Sequence, residues 1–250
     1  MIASCIQMFL LLAYLFQLIS QSDSPLTFLY TAFEQVTKRN SQSDKKRLPV
    51  SLLVTLSGAS KGETISEVNQ AIESFLLSLQ EVRILAEQVE IALLESHEYV
   101  TVHCPLKPIT QIPFPLFSAN SVHRALGQGI DVAINILRTA VADSKQKGHT
   151  SRRPWCIVIT DGQASDVWED TAARLKTWSE DRAIIPLFIN VGLREEALND
   201  YSCFPACNVN GKQLGEMLGW IKQSLEQVAR AEPGDTVRLL SPPQFDDYTR

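Results

Sequence analysis

Arg153-Pro154-Trp155-Cys156-Ile157-Val158-Ile159-Thr160-Asp161-Gly162 carries five apolar residues in a row and then stops at a Thr-Asp-Gly corner. A short apolar run rich in β-branched residues and closed by turn chemistry predicts a buried strand. A second such run, Pro49-Val50-Ser51-Leu52-Leu53-Val54-Thr55, ends in Leu56-Ser57-Gly58-Ala59-Ser60. Side by side in a parallel sheet, the two strands point both corners at one crevice, where α/β folds bind ligands. The later corner keeps an aspartate, and the earlier one has none.

Outward from these strands the pattern alternates. Ile65, Val68, Ala71, Ile72, Phe75, Leu76 and Leu79 recur at helical spacing and predict a helix over 64–80. Residues 89–94 and 99–103 read as two strands joined by a turn at Ser96-His97, a hairpin that supplies an antiparallel edge strand. The proline-rich stretch 105–117 reads as a loop. A helix over 122–144 follows, with Leu126, Ile130, Ala133, Ile134 and Leu137 on one face. Past the strand 155–160, a helix over 166–179 opens on Asp166, placed to cap free N–H groups. A strand over 183–191, a short helix over 195–200, a short strand at 208–209 and a helix over 212–231 complete the series.

Strands alternating with helices predict an α/β fold. The expectation is a single doubly wound, Rossmann-like domain over 48–231. Its central sheet is mostly parallel with an antiparallel edge strand, and helices cover both faces. Residues 1–47 form an apolar N-terminal segment and a polar, basic linker. Residues 232–250 form a proline-containing C-terminal tail.

The bulk numbers narrow the function. A net charge of −5 over 250 residues and a pI near 5.4 argue against a nucleic-acid partner. Five cysteines, an odd number, with Cys156 inside an apolar strand, fit a reducing compartment and a cytoplasmic location. Residues 2–19 are strongly apolar but lack a leading positive charge and a cleavage site. The alternative is a membrane anchor there; because Lys38-Arg39 and Lys45-Lys46-Arg47 follow it, the domain would still face the cytoplasm. No phosphate-binding G-x-x-x-x-G-K-[ST], no G-x-G-x-x-G and no H-E-x-x-H occurs. His97, His103, His123 and His149 share no ligand spacing and read as surface or loop residues. Cys203 and Cys207 are too few for a zinc site.

Arg152–Asp170, RRPWCIVITDGQASDVWED, resembles a segment of von Willebrand factor A (VWA) domains, most closely the bacterial tellurium-resistance TerY/YegL type. RLPVSLLVTLSG at residues 47–58 and GETISEVNQAI at residues 62–72 are similar to the opening strand and first helix of that group. In such domains the crevice is a metal-ion-dependent adhesion site with the pattern D-x-S-x-S, a later threonine and the aspartate of Thr-Asp-Gly. Aligned so, this chain has Thr55, Ser57, Ala59, Arg124 and Asp161; in a shifted register Ser118 or Ser121 takes the threonine's place. Only Ser57 and Asp161 match, so the site reads as degenerate.

Mg²⁺ wants several oxygen ligands, typically with one or two carboxylates. No metal or cofactor is therefore expected; weak Mg²⁺ binding would rest on Ser57 and Asp161. Two placements of Arg124 stay open: a fork pairing with Asp161 in place of the metal, or exposure to solvent with Asp161 capping local N–H groups.

The resemblance implies a non-catalytic protein-interaction module in a bacterial stress-response or tellurium-resistance system, with a kinase or phosphatase as partner. Ser60, Gln163, Ser165 and Asp166 form the expected partner-binding rim. The alternative is a Mg²⁺- or Mn²⁺-dependent binder with ligands from Ser57, Ser60, Ser118 or Ser121 and Asp161. A hydrolase using Asp161 ranks last, because a lone carboxylate lacks a paired acid or base.

Overall fold

In the computed structural model, residues 46–60, 62–162, 164–192, 196–232, 235–243 and 245 are described. The reading of residues 2–19 as an anchor, and of the linker up to residue 45, lies outside them.

The mainly apolar runs form the central strands. β1 (Lys46–Thr55) pairs in parallel with β2 (Val89–Ser96) on one side and β5 (Trp155–Thr160) on the other. β3 (Val100–Pro108) lies antiparallel to β2 at one edge, as the hairpin predicted. β6 (Ile185–Asn190) and the two-residue β7 (Cys207–Asn208) extend the sheet in parallel beyond β5. β4 (Thr150–Ser151) pairs with the start of β1 off this path. The order is β3-β2-β1-β5-β6-β7.

Buried residues alternate between the two faces because successive side chains in a strand point opposite ways. Leu48, Val50, Leu52 and Val54 of β1 pack toward α1 (Glu63–Glu81), α2 (Arg83–Gln88) and α5 (Gly211–Arg230), through Ile72, Leu76, Leu85, Leu218 and Ile221. Leu53, with Cys156 and Val158 of β5, packs toward α3 (Leu126–Gln146) and α4 (Glu169–Glu180), through Ile130, Ile134, Leu137 and Leu175. Each such leucine or isoleucine contributes roughly 1.5–3 kcal/mol by leaving water. Burial pushes the Cys156 thiol up to about 11, so it behaves as an apolar filler. The doubly wound α/β architecture is as the sequence predicted. Among the described residues, no helix is long and apolar enough to cross a membrane.

Several boundaries move. Lys46 and Arg47 belong to β1, not to the linker, because they pair with Thr150 and Ser151. β3 reaches Pro108, and register shifts against β2 near Ile91–Leu94 accommodate its prolines. Of the expected loop 105–117, only 112–117 lacks regular structure, because β3 and a 3-10 turn at Ile109–Gln111 take up the rest. α3 starts at Leu126 and α4 at Glu169, each later than the apolar periodicity predicts. Of the residues released at both starts, Arg124 reaches the crevice, and Asp166 bonds back to Gly127 and Gln128. In the C-terminal stretch, Trp220 Nε1 donates to the Leu240 carbonyl at 3.1 Å, and Leu239 and Phe245 pack on the core.

β1 is followed by β2 on one side, and the chain later returns to lay β5 on the other. The crevice beyond the strand ends at such a reversal is the topological switch point of an open α/β sheet. Thr55 of β1 pairs with Thr160 of β5 there. Ser57 and Asp161 therefore face each other by topology.

Candidate functional site

Asp161 is the centre of the crevice, its side chain 2% exposed. One oxygen, Oδ2, accepts from the Ser57 N–H at 2.9 Å, the Ser57 hydroxyl at 2.7 Å and the Ser60 hydroxyl at 2.7 Å. The other, Oδ1, accepts from Arg124 Nε at 2.6 Å. Arg124 also donates from a terminal nitrogen to Ser57 Oγ at 2.9 Å, and Ala59 N–H donates to the same oxygen at 3.2 Å. Burial alone would push the Asp161 carboxyl up. The bonds from Arg124, Ser57 and Ser60 outweigh it and hold the group below the usual carboxylate range.

Two loops deliver the guanidinium. Ser121 bridges to Ser57, and its carbonyl accepts from Gly58 N–H at 2.7 Å. Ser165 accepts the Arg124 N–H on its hydroxyl at 2.8 Å and donates its own N–H to the Arg124 carbonyl at 2.9 Å. Gly162 lies under the guanidinium, 3.5 Å from where its Cβ would stand to Arg124 Cζ. Of the two placements left open for Arg124, the pairing with Asp161 is the one present.

A hard divalent cation needs lone pairs aimed at one point. Here one carboxylate is present, and N–H and O–H donors already meet both its oxygens. This donor set fits a guanidinium and does not fit Mg²⁺. Among the described residues, no three His, Cys, Asp or Glu side chains converge as metal ligands.

The remaining expected residues divide. Thr55 is fully buried, and its hydroxyl has no partner among the described residues, so it adds no bond to the site. Ala59 is exposed. Ser60, expected on the rim, lies inside: the 3-10 turn Gly58–Ser60 swings its hydroxyl onto Asp161, where it stands in for the hydroxyl that Ala59 lacks. Ser165 is exposed at the mouth, as expected. Asp166 does not cap its own helix, because α4 begins beyond it at Glu169. Its carboxylate instead reaches across to α3 and accepts from Gly127 N–H at 3.1 Å and Gln128 N–H at 2.9 Å. A Cβ on Gly127 would stand 2.9 Å from the Val167 carbonyl oxygen, so the two loops need a glycine there. Gln163 lies outside the described residues. Ser118 is drawn out of the metal-site register altogether, onto Glu95.

Sequence reasoning missed that cluster. Glu95 accepts from the Ser118 N–H at 2.6 Å and the Ser118 hydroxyl at 3.0 Å, with His97 Nε2 at 3.0 Å and His103 Nε2 at 2.8 Å. The two histidines are not free surface residues. Nor do they form a catalytic relay: the same His97 nitrogen faces both Ser118 and Glu95, and His97 Nδ1 is buried without a partner among the described residues. The sequence reading that no G-x-S-x-G occurs is also corrected, because Gly58-Ala59-Ser60-Lys61-Gly62 spells it. That pattern needs an exposed serine beside a base. Ser60 is 4% exposed and bonded to a carboxylate already held by arginine.

No family model matches the chain, and no curated protein matches it. Solved structures do. Proximal thread matrix protein 1 from the mussel byssus superposes with a TM-score of 0.51 and 15% identity over 73% of this chain and 46% of that one. A von Willebrand factor type A protein from Catenulispora acidiphila gives a TM-score of 0.51 and 12% identity over 73% of this chain and 43% of that one. The chain thus spans less than half the length of either. The fold is of the von Willebrand factor A type.

Proposed function

We propose that this VWA-type domain is a non-catalytic protein-interaction module whose crevice face docks a protein partner without a bridging metal. The observation that carries this reading is the Arg124 guanidinium seated on Asp161 and Ser57, where a bound cation would need open lone pairs. Beside it, Val122 and Val167 are 79% and 85% exposed on the two loops that the Arg124–Ser165 bonds join. Exposed aliphatics around a polar centre suit a protein surface.

The test is capture of a protein partner from the source cell, repeated in EDTA and with a Val122→Asp, Val167→Asp double variant. Capture that survives EDTA and is lost in the double variant supports the reading. Capture that needs Mg²⁺ or Mn²⁺ overturns its metal-free part, and capture indifferent to the double variant overturns the surface. The finer proposal is a cytoplasmic component of a bacterial stress-response, tellurium-resistance-like system with a kinase or phosphatase partner. Its support is the resemblance of residues 152–170. Anchoring through residues 2–19 is the alternative for location.

A further inference from the structure

Resting on the reading of the crevice as the binding face, we propose that Glu95 is the positioning residue for Arg124. The end of β2 and the residue that follows it grip the segment 118–125 at both ends. At one end the Glu95 carboxylate, 8% exposed, takes both donors of Ser118. At the other, Ala125 N–H donates to the His97 carbonyl at 2.8 Å, and the Ser96 hydroxyl donates to the Ala125 carbonyl at 2.6 Å. Between these anchors lie Ser121, bridged to Ser57, then the exposed Val122, then Arg124.

His97 and His103 approach opposite oxygens of Glu95, which fixes the rotamer of the carboxylate. The His103 ring meets Phe117 edge-on at 5.5 Å, and Asn69 of α1 accepts from and donates to the Phe117 backbone at 2.8 and 2.9 Å. Burial works against the Glu95 charge, but the Ser118 N–H and the His103, Ser118 and His97 interactions hold its carboxyl below the usual range. An ionised carboxylate makes stronger, shorter bonds to its donors than a neutral group. Glu95 never touches Arg124. It sets where the segment carrying Arg124 begins, and so whether the guanidinium reaches Asp161.

The experiment reads the Arg124 Nε–Hε signal by NMR in the free protein, with no partner or metal added. Wild type should give a displaced, exchange-protected signal. Glu95→Ala should return it toward that of a solvent-exposed arginine, with exchange at least tenfold faster in molecules whose β1 and β5 amides stay protected. Glu95→Gln, which keeps an acceptor for Ser118, should restore most of the protection. If Glu95→Ala does not fold, Ser118→Ala, which removes one of the donors, should give a smaller shift in the same direction. An unmoved Arg124 signal in the folded variants overturns the proposal. So does saturable zinc binding at micromolar concentration that perturbs His97 and His103, because Glu95 would then be a metal ligand. Since the readout contains no partner, a moved Arg124 signal with unchanged capture would sink the docking surface and leave Glu95's role standing.

Discussion

Arg124 Nε stands 2.6 Å from Asp161 Oδ1, at the point where the resemblance to VWA domains places a cation. The pair sits in a crevice where the arginine side chain is 22% exposed and the aspartate 2%. Removing one member of a largely buried pair leaves the other charge without compensation. Arg124→Ala should therefore lower stability by about 3 kcal/mol, the lower end for breaking a buried pair. Urea unfolding checks this, read as a lower midpoint at unchanged slope.

Thr55→Asp, Ala59→Ser and Arg124→Thr together should create a cation site, because they add a carboxylate and two hydroxyls and remove the guanidinium. Calorimetric titration with Mg²⁺ or Mn²⁺ should show saturable binding in the triple variant and none in the wild type. Micromolar binding to the wild type would overturn the assignment of Arg124.

Asp161 and Glu95 are both held below their ordinary carboxylate values. A depressed folded value stabilises above the unfolded one, about 3.9 for Asp and 4.3 for Glu, and the gain is lost as pH falls through the folded value. Thermal stability should therefore be steady from neutral pH to about 5 and fall below about 4.5. Asp161→Asn, less stable at neutral pH, should show a shallower loss between about pH 4.5 and 3, since one of the two groups is gone. A pH series of melting temperatures tests the slope.

Thr55 buries a hydroxyl that has no partner among the described residues. Leaving such a group unpaired costs about 1–3 kcal/mol. Thr55→Val, of similar shape, should be neutral or stabilise by up to about 1 kcal/mol, without altering the Arg124 signal. A loss beyond about 1 kcal/mol would mean that the hydroxyl has a partner.

Gly192 follows β6 and abuts the backbone of Asp161. A Cβ there would lie 2.1 Å from the Asp161 carbonyl oxygen. Gly192→Ala should cost about 1–3 kcal/mol, as overpacking does, and should also disturb the Arg124 signal, because Asp161 must move. Denaturation and NMR of the variant measure the two effects.

The sheet was legible because β1, β2 and β5 each carry a short, mainly apolar run bounded by turn or polar residues, the pattern of a strand buried on both faces. α2 and β4 were not, being six and two residues long, too short for any periodicity to register. Arg124 opposite Asp161 was one of two placements that the sequence left open, since alignment fixes a residue's position and not where its side chain points. Ser60 was misplaced, since only a 3-10 turn brings its hydroxyl inward. The Asp166 cap was misread for a related reason: a carboxylate that opens its own helix by sequence here serves another helix by proximity. Glu95, His97 and His103 lie on the one β2–β3 hairpin, which the sequence predicted, but Ser118 comes from the irregular segment beyond it, and nothing in its spacing foretold that it folds back onto Glu95.

The borders of the sheet carry a separate consequence. One border is β7, two residues long; the other is β3, which carries Pro105 and Pro108 flanking Lys107. Proline offers no amide proton to a neighbouring strand, and lysine there opposes close stacking. Such borders give an incoming chain little to zip onto, a composition that works against edge-to-edge joining into aggregates.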